Sequence, residues 1–377
     1  MIYDVIVIGT GGIGSAVLYE LARRGANVLG LDRFPPGHNR GSSHGQSRII
    51  RRSYFEHPDY VPLLHEAYRL WDEFCERRFA NLLHRTGLLY SGQPNGAVIQ
   101  GVLNSAKQHR LTVEQLSPAD AAARFPGFRL PDDSAVLFEA DAGYLLVEEC
   151  VKAFIEEATR FGAEAKHGET VIEWFADPGR VTVRTNSQAY KAERLVITSG
   201  CWANDLLADL KIPLKVILKH LHWFEPDDDR YFESNGCPCF FVEALDGYFY
   251  GFPTDGVNGV KVAEHSGGVL IHDPLTIDRR EDSADTQRVS EFLKRHLPGV
   301  SSRRRLHDVC FYTMSPDEHF IVDRHPQHDS VCFAAGMSGH AFKFASVLGR
   351  VLAELAMDGQ PSLNVDFLNL RRPGLQR

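Results

Sequence analysis

The sequence lacks any run of about 20 apolar residues, the length that a helix needs to cross a bilayer. It also lacks a basic segment followed by an apolar signal core, because a strand pattern begins by Tyr3, and this argues against secretion. Its 41 lysines and arginines are outnumbered by 49 acidic residues, and the net charge is -8. Such a chain is poorly suited to neutralising nucleic-acid phosphates. We expect neither a membrane nor a nucleic acid among its partners, and we expect a cytoplasmic location.

Cysteines are few and scattered. The chain has seven of them, an odd number, and Cys237 and Cys239 form the only close pair. This pattern excludes a disulfide framework, and the spacing of the pair differs from the CxxC of zinc sites. We therefore expect a reducing compartment and no metal site.

The composition is that of a folded globular protein, with 44% hydrophobic and 24% charged residues. A chain of 377 residues exceeds the size at which a single hydrophobic core stops growing, so we expect two domains. No internal repeat and no clear linker separates them, which indicates that the domains are interleaved in sequence. No coiled-coil stretch argues against a monomer.

The first 32 residues have the pattern strand, glycine turn, helix, strand. Residues 3–8 form a short apolar run, and residues 27–32 form the second strand. Between them Ile13, Val17 and Leu21 recur at four-residue spacing, which places them on one face of a helix. The pattern predicts a βαβ unit.

Gly9, Gly11 and Gly14 form a GxGxxG motif between that strand and that helix. Bare backbone at this point lets a pyrophosphate approach the N-terminus of the helix. Asp32 closes the second strand, where a carboxylate can accept hydrogen bonds from the adenosine ribose. A glycine turn alone can simply separate a strand from a helix without binding a ligand. The βαβ pattern around it, together with Asp32, favours dinucleotide binding. The motif does not distinguish NAD from FAD.

The segment 41–51 includes Ser42, Ser43, Arg48 and Arg51 and is too polar for a core. A loop of this kind could wrap a flavin. It could equally be a solvated surface loop with exposed arginines. The segment by itself favours neither interpretation.

The remaining pattern places helices on both sides of a strand-rich region. Helices are predicted over 59–77 and 147–161, and another begins at about Ala119. Strands are predicted over 180–184, 194–198, 214–224, 240–242, 248–252 and 260–265. A strand over 330–335 is followed by a helix from about Gly339 to Met357. Elements of a nucleotide-binding fold thus occur at both ends of the chain.

Over essentially its whole length the sequence resembles the monomeric sarcosine oxidase and N-methyltryptophan oxidase family, a family of FAD-dependent amine oxidases. The N-terminal GxGxxG motif carries part of the likeness. The other segments that carry it are 47–51, 250–253, 261–265, 310–313, 317–320 and 336–343. Together these segments are far more specific than any single motif.

The resemblance implies an α/β fold of two domains. One is a glutathione-reductase-like FAD-binding Rossmann domain, and the other is an interleaved antiparallel-sheet substrate domain that roofs the flavin. On this basis residues 1–85, 149–213 and 315–377 are predicted to form the FAD-binding domain. Residues 86–148 and 214–314 are predicted to form the substrate domain. The resemblance also implies a monomer.

For the cofactor, the resemblance implies that Cys310 carries FAD through a thioether bond to the 8-methyl group of the flavin. Without the resemblance, Cys310 would be interpreted as a small buried hydrophobe. Gly339, His340 and Lys343 are expected at the start of the last helix, with its dipole directed at the flavin. The other expected FAD contacts are Gly9, Gly11, Gly14, Asp32, Ser42, Ser43 and Arg48.

For the substrate, the carboxylate clamp of the family maps onto Arg51 and Lys343. Arginine can form a bidentate pair with a carboxylate, and lysine adds a point charge. Phe241 stands where the sarcosine enzymes carry methionine, which leaves the size of the pocket open.

For the reaction, the resemblance places Lys261 near flavin N5, where it activates oxygen, with Arg48 as its cationic neighbour. It places His265, Tyr250 and Tyr312 in the substrate pocket. Strand geometry puts Lys261 and His265 on one sheet face. Without the resemblance, a solvent-facing Lys261, a core His265 and a plain aromatic core would be the favoured interpretations.

The implied activity is the oxidation of an N-methyl amino acid by O2, which yields the demethylated amino acid, formaldehyde and hydrogen peroxide. A flavin dehydrogenase that uses another acceptor and an oxidase of cyclic imino acids such as pipecolate or proline stay open. A non-catalytic flavin-binding protein is the alternative from another class. The sequence does not choose between sarcosine, N-methyltryptophan and cyclic substrates.

Overall fold

The computed structural model of the chain describes residues 2–375. These residues fold into eight α-helices and twenty strands. The helices are α1 (Gly12–Arg23), α2 (Tyr60–Arg78), α3 (Ala97–His109), α4 (Pro118–Arg124), α5 (Val147–Arg160), α6 (Ala203–Leu206), α7 (Ser283–His296) and α8 (Ala345–Met357). No helix in this part of the chain has the length and apolar character needed to cross a membrane.

Eight strands form a first sheet: β1 (Ile2–Ile8), β2 (Val28–Asp32), β9 (Glu164–His167), β10 (Val171–Asp177), β11 (Arg180–Thr185), β12 (Ala189–Ile197), β19 (Ile321–His325) and β20 (His328–Ala335). Their order is β10-β11-β12-β1-β2-β9, with β20 beside β12 and β19 beside β20. The central strand β1 is parallel to both of its neighbours. Strand β1 is also almost completely buried, as expected for a parallel strand covered on both faces.

Nine strands form a second sheet. They are β5 (Leu88–Gly92), β6 (Glu114–Leu116), β7 (Ala135–Glu139), β13 (Lys215–Pro226), β14 (Cys239–Ala244), β15 (Gly247–Phe252), β16 (Val260–Glu264), β17 (Val269–Ile271) and β18 (Val300–Met314). The predicted antiparallel sheet is in fact mixed, because β14 and β5 pair in parallel. A small third sheet contains β3 (Ser47–Ile50), β4 (Leu83–His84) and β8 (Gly143–Leu146).

The predicted α/β fold and its N-terminal βαβ unit are confirmed. Strands β1 and β2 run in parallel with Val5 beside Val28, and α1 connects them. The turn between β1 and α1 requires glycine at two points. Gly9 has a φ of +84°, and a Cβ atom at Gly14 would overlap the carbonyl oxygen of Gly9. The glycines therefore let the first turn of the helix close directly against the end of the strand.

The two large sheets alternate along the chain. The first sheet uses residues 2–32, 164–197 and 321–335, whereas the second uses residues 88–139 and 215–314. A domain division at 85/86, 148/149, 213/214 and 314/315 remains a prediction.

The last helix begins later than the sequence predicted. Helix α8 starts at Ala345 rather than at Gly339, and one 3-10 turn, Phe342–Phe344, precedes it. Gly336, Ser338 and Gly339 have φ values of +59°, +45° and +78°. These left-handed conformations are incompatible with a right-handed helix. His340 and Lys343 consequently lie in a loop and its closing turn, and not in the first turn of an α-helix.

Helix α1, near the start of the chain, and helix α8, near its end, pack against each other through small residues. A Cβ atom at Gly349 of α8 would lie 2.6 Å from the Cβ atom of Ala16 in α1, so the two helices cross closely. At the same end, a Cβ atom at Gly12 would lie 2.9 Å from the ring of Phe342. This packing holds the loop before α8 next to the N-terminal glycine turn.

The glycine turn gives a prediction about stability. Gly14→Ala places a methyl group on a backbone oxygen that has no room to move, so we expect the melting temperature to fall by at least about 5 °C. Gly11→Ala is the matched control, because its Cβ atom would meet Ser43 Oγ at 3.6 Å, an ordinary contact. Thermal unfolding followed by circular dichroism measures both variants. Equal melting temperatures for the two would contradict this account of the turn.

Candidate active site

A deep cavity opens at the carboxyl ends of β1, β12 and β20 and extends to the second sheet. It brings together most of the residues singled out in the sequence. Those lining it are Gly9, Gly11, Asp32, Ser42, Ser43, Arg48, Arg51, Phe241, Tyr250, His265, Tyr312, Gly339, His340 and Lys343. Three further predicted site residues, Gly14, Lys261 and Cys310, are not among the described residues that line the cavity, and they lie behind its wall.

One end of the cavity is formed by the glycine turn and the end of β2. The Asp32 carboxylate accepts hydrogen bonds from the backbone N–H of Thr10 at 2.7 Å and of Phe34 at 3.0 Å. The Ser43 hydroxyl accepts one from Gly12 N at 2.9 Å. These bonds fix the acidic residue and the serine at the mouth of the turn, where a dinucleotide would contact them.

Three buried polar atoms at this end support a bound ligand. Arg33 Nη1, Ser199 Oγ and Trp202 Nε1 have no hydrogen-bond partner within residues 2–375. All three residues line the cavity, and the Arg33 guanidinium lies 5.3 Å from the centre of the Trp202 ring. Buried donors are rarely left unsatisfied in native proteins. The residues present therefore fit a polar, elongated ligand such as a dinucleotide.

The loop 336–343 forms the middle of the wall. A Cβ atom at Gly339 would overlap the Tyr312 ring, so the loop backbone can approach the second sheet only with glycine there. His340 Nδ1 lies 2.5 Å from the Tyr54 hydroxyl, and its Nε2 lies 2.9 Å from the carbonyl oxygen of Glu318. Burial lowers the pKa of His340 to about 4, against the opposing effect of Glu56, so the imidazole is neutral at pH 7.

Arg51 and Lys343 lie in the same part of the cavity, as the clamp hypothesis requires. Arg51 Nη2 donates to both carboxylate oxygens of Glu56 at 2.7 Å, and Nη1 donates to the carbonyl oxygen of Ser53. Lys343 Nζ donates to the carbonyl oxygen of His340 at 2.7 Å. Burial and the Arg51 guanidinium lower the pKa of Lys343 to about 7, against the opposing effect of Glu56.

Glu56 is a functional candidate that the sequence reasoning missed. It lines the cavity, and although burial would raise its pKa, the Arg51 guanidinium and the other nearby positive groups lower that pKa to about 2. It is therefore ionised beside the clamp. No periodicity or motif marks it, and its position five residues after Arg51 in an irregular segment is the only signal in the sequence.

Arg48 also faces the cavity, where its side chain closes the 41–48 loop. Its guanidinium donates to the carbonyl oxygens of Ser42 at 3.0 Å and Ser47 at 2.9 Å. Glu148 holds the same loop from the other side by accepting hydrogen bonds from the backbone N–H groups of Gly45 and Gln46. The 41–51 segment is thus an ordered part of the cavity wall rather than a solvated loop.

Lys261 lies one layer behind the cavity wall. Its ammonium donates to the carbonyl oxygens of Gly45 at 2.5 Å and Ser47 at 2.8 Å, and the side chain is buried rather than solvent-facing. Burial and the Arg48 guanidinium hold the pKa of Lys261 well below its ordinary value. The predicted sharing of one strand with His265 needs a correction, because β16 ends at Glu264 and His265 follows it.

The second sheet supplies an aromatic wall. Tyr250 and Tyr312 line the cavity with Phe241, whose ring centre lies 5.7 Å from that of His265. The Tyr312 hydroxyl lies 3.3 Å from His265 Nδ1. Burial lowers the pKa of His265 to about 3 and raises that of Tyr250 to about 12. This wall therefore carries no charge at neutral pH.

Cys310 lies on β18, two residues before Tyr312, and belongs to the aromatic cluster that backs the cavity. The thiol is completely buried. All seven cysteines are unpaired in the structure.

Comparison with known proteins agrees with this geometry. The model of a family described as FAD dependent oxidoreductase matches residues 4–355. A monomeric sarcosine oxidase from Bacillus sp. (strain B-0618) is 37% identical, over 99% of this chain and 97% of its own length. An N-methyl-L-tryptophan oxidase from Escherichia coli (strain SMS-3-5 / SECEC) is 37% identical, over 99% of this chain and all of its own length.

The solved structures show the same architecture. The open form of NikD, an unusual amino acid oxidase essential for nikkomycin biosynthesis, is 26% identical with a TM-score of 0.86. The match covers 97% of each chain. The family match over residues 4–355, the two relatives and the glycine turn at one end of the cavity lead to one conclusion: this chain belongs to the FAD-dependent oxidoreductase family.

Proposed function

We propose that this enzyme oxidises the N-methyl group of a small amino acid, with FAD as cofactor and O2 as electron acceptor. The products are the demethylated amino acid, formaldehyde and hydrogen peroxide. One observation carries the proposal: the cationic pair Arg51 and Lys343 lies in the same cavity as the dinucleotide-binding glycine turn. The two named oxidases that are 37% identical to this chain act on N-methyl amino acids of this type, as their names state.

The residues that would hold FAD lie along one wall of the cavity. At the adenosine end they are Gly9, Gly11 and Asp32, with Gly14 permitting the tight turn beneath them. Ser43 lies beside the glycine turn through its hydrogen bond with Gly12 N, and the residues at the flavin end are Ser42, Arg48, Gly339, His340 and Lys343. When bound, FAD accepts two electrons from the substrate and passes them to O2. The protein contributes binding, orientation and electrostatics.

Arg51 and Lys343 would bind the carboxylate of the substrate. Three cations, Arg48, Arg51 and Lys343, line this region of the cavity, and Glu56 is the carboxylate among them. With Lys343 protonated, the region keeps a positive surplus that favours an anionic ligand. A carboxylate bound there would leave the other end of a small amino acid to contact Tyr250, Tyr312 and His265, which line the same cavity.

The aromatic wall would bind the substrate nitrogen in its uncharged form. His265 and Tyr250 are neutral at pH 7, because burial lowers the pKa of the first and raises the pKa of the second. A cationic amine would lose its hydration there without gaining a counter-charge. A neutral amine keeps the lone pair that oxidation of the adjacent C–N bond requires. The imine product then hydrolyses with one water molecule to formaldehyde and the primary amino acid.

The reaction itself is the first test. Purified holoprotein given sarcosine or N-methyltryptophan in air is expected to release hydrogen peroxide and formaldehyde in equal amounts. Glycine and tryptophan are the matched controls, because they lack only the methyl group. If the protein retains FAD and yet none of the N-methyl amino acids causes it to release peroxide, the proposal is refuted.

We also propose that FAD is joined to Cys310. The support is the resemblance at residues 310–313 and the place of this thiol on the strand that carries Tyr312. After acid precipitation, we expect the yellow colour to stay with the protein pellet, and to move to the supernatant in Cys310→Ala. Cys239→Ala is the control, since Cys239 is buried in the same cluster. Colour in the supernatant of the unmodified protein would show the assignment to be wrong.

Lys261 would act in the reduction of oxygen. Its ammonium binds the loop that precedes Arg48, so the two cations together favour the anionic products of oxygen reduction. This effect requires the protonated lysine. Because burial and Arg48 hold the pKa of Lys261 low, we expect reoxidation to slow as the pH rises.

For Lys261→Met we expect reoxidation by O2 to slow by about a hundredfold, with anaerobic reduction by substrate nearly unchanged. Stopped-flow absorbance measures the two half-reactions separately. Lys219→Met is the control, because Lys219 is another buried lysine of the second sheet that donates to backbone carbonyls. Equal loss in both half-reactions would contradict the assignment.

A further inference from the structure

We propose that Tyr54 is a positioning residue whose aromatic ring holds Arg51 and Lys343 together as one carboxylate clamp. The inference rests on the proposed function and adds to it a residue outside the cavity wall. Tyr54 is completely buried, and no sequence motif singled it out.

The contacts of the ring carry the proposal. The Arg51 guanidinium carbon lies 4.4 Å from the centre of the Tyr54 ring, and Lys343 Nζ lies 5.2 Å from the same centre. Both distances fall within the range of about 6 Å in which a cation is attracted to an aromatic face. The two cations belong to segments far apart in the chain, and a single side chain contacts both.

The charges explain why such a residue is needed. Two cations held close together in a buried site repel each other, and neither has bulk water to screen the repulsion. Arg51 has Glu56 as a counter-charge at 2.7 Å. Lys343 has no carboxylate within ion-pair distance among residues 2–375, and its hydrogen bond goes to the neutral carbonyl of His340. The negative face of the Tyr54 ring therefore stabilises the Lys343 ammonium, together with the Phe344 ring, whose centre lies 5.7 Å from Nζ, and the more distant Glu56 carboxylate.

The hydroxyl of Tyr54 has a separate role. It donates to His340 Nδ1 at 2.5 Å and lies 3.2 Å from the His340 carbonyl oxygen, which accepts from Lys343. The hydroxyl thus anchors the loop that carries Lys343, whereas the ring acts on the two charges. Substitutions can separate the two effects, because phenylalanine keeps the ring and loses only the hydroxyl.

The probe is methoxyacetate, a carboxylate in which an ether oxygen replaces the amine of sarcosine. It binds the clamp without an amine that titrates, and its carboxylate is ionised throughout the range of about pH 6 to 9. Isothermal titration of the holoprotein measures its Kd. Lys343→Met gives the reference value for a clamp that has lost one cation.

We expect Tyr54→Phe to bind methoxyacetate within about threefold of the unmodified protein, and Tyr54→Leu to bind it about tenfold more weakly. Phenylalanine with increasing ring fluorination at position 54 should weaken binding stepwise, because fluorine removes negative charge from the ring face at nearly constant shape. A merely structural role would not follow that series. Equal affinity across the series, or equal losses for phenylalanine and leucine, would overturn the proposal.

The pH dependence gives a second readout. Burial and Arg51 hold the pKa of Lys343 at about 7, so affinity for methoxyacetate should fall as the pH rises through that value. The other groups that act on Lys343 are Glu56, Arg48 and His340. Tyr54→Phe is the reference for this comparison, because it also lacks the hydroxyl that bonds His340 and differs from Tyr54→Leu in the ring. Loss of the ring lowers the pKa of Lys343 further, so the fall in affinity should move to lower pH. If the pH dependence of methoxyacetate affinity does not shift, the ring does not stabilise the Lys343 ammonium.

Tyr60→Leu is the matched control. Tyr60 is equally buried and packs 5.1 Å from Tyr54, but it makes no cation contact among the described residues. The Tyr60→Leu variant should keep the methoxyacetate affinity and the pH profile of the unmodified protein. If it loses as much affinity as Tyr54→Leu, the effect is one of general packing and the proposal is overturned. If the unmodified holoprotein does not bind methoxyacetate, the clamp itself and the proposed function fail. Normal binding that is insensitive to the ring refutes only the role of Tyr54.

Discussion

Removing a charged side chain from water is costly unless hydrogen bonds or opposite charges replace the lost hydration, and four cations at this site face that requirement. Arg51 is neutralised by Glu56, whereas Arg48 and Lys261 donate to backbone carbonyls of the 42–47 loop. Lys343 has a single carbonyl and aromatic rings as neighbours. Its pKa of about 7 makes it, with Lys261, a cation whose charge changes with pH.

The same contacts join the two halves of the molecule. Lys261 belongs to the second sheet, yet its ammonium is bound by the loop that leads from the first sheet into β3. Tyr312 of the second sheet occupies the space that a side chain at position 339 would fill. The cavity can therefore have its shape only when both sheets are folded and docked, and the FAD-binding end and the substrate end are built as one unit.

Much of the architecture could be predicted from the sequence, because local periodicity and glycine spacing determine it. The βαβ unit around Gly9 and Gly14, and the helix that begins near residue 147, follow from patterns that a few neighbouring residues define. The predicted start of the last helix, at about Gly339, was wrong, because the helix begins at Ala345. Apolar spacing continues backwards into the 339–344 segment, whereas Gly339 is left-handed and has no room for a side chain beside a tyrosine ring from a distant strand.

By itself the sequence determined the dinucleotide turn, the mixture of helices and strands, and the types of residue available for chemistry. Tertiary structure alone decided which charges meet: that Glu56 neutralises Arg51, that Lys261 stands behind the wall, and that one ring serves two cations. The physical reason is range. Backbone preference acts over a few residues, but the pKa and the binding role of a buried charge depend on groups that only folding brings near it.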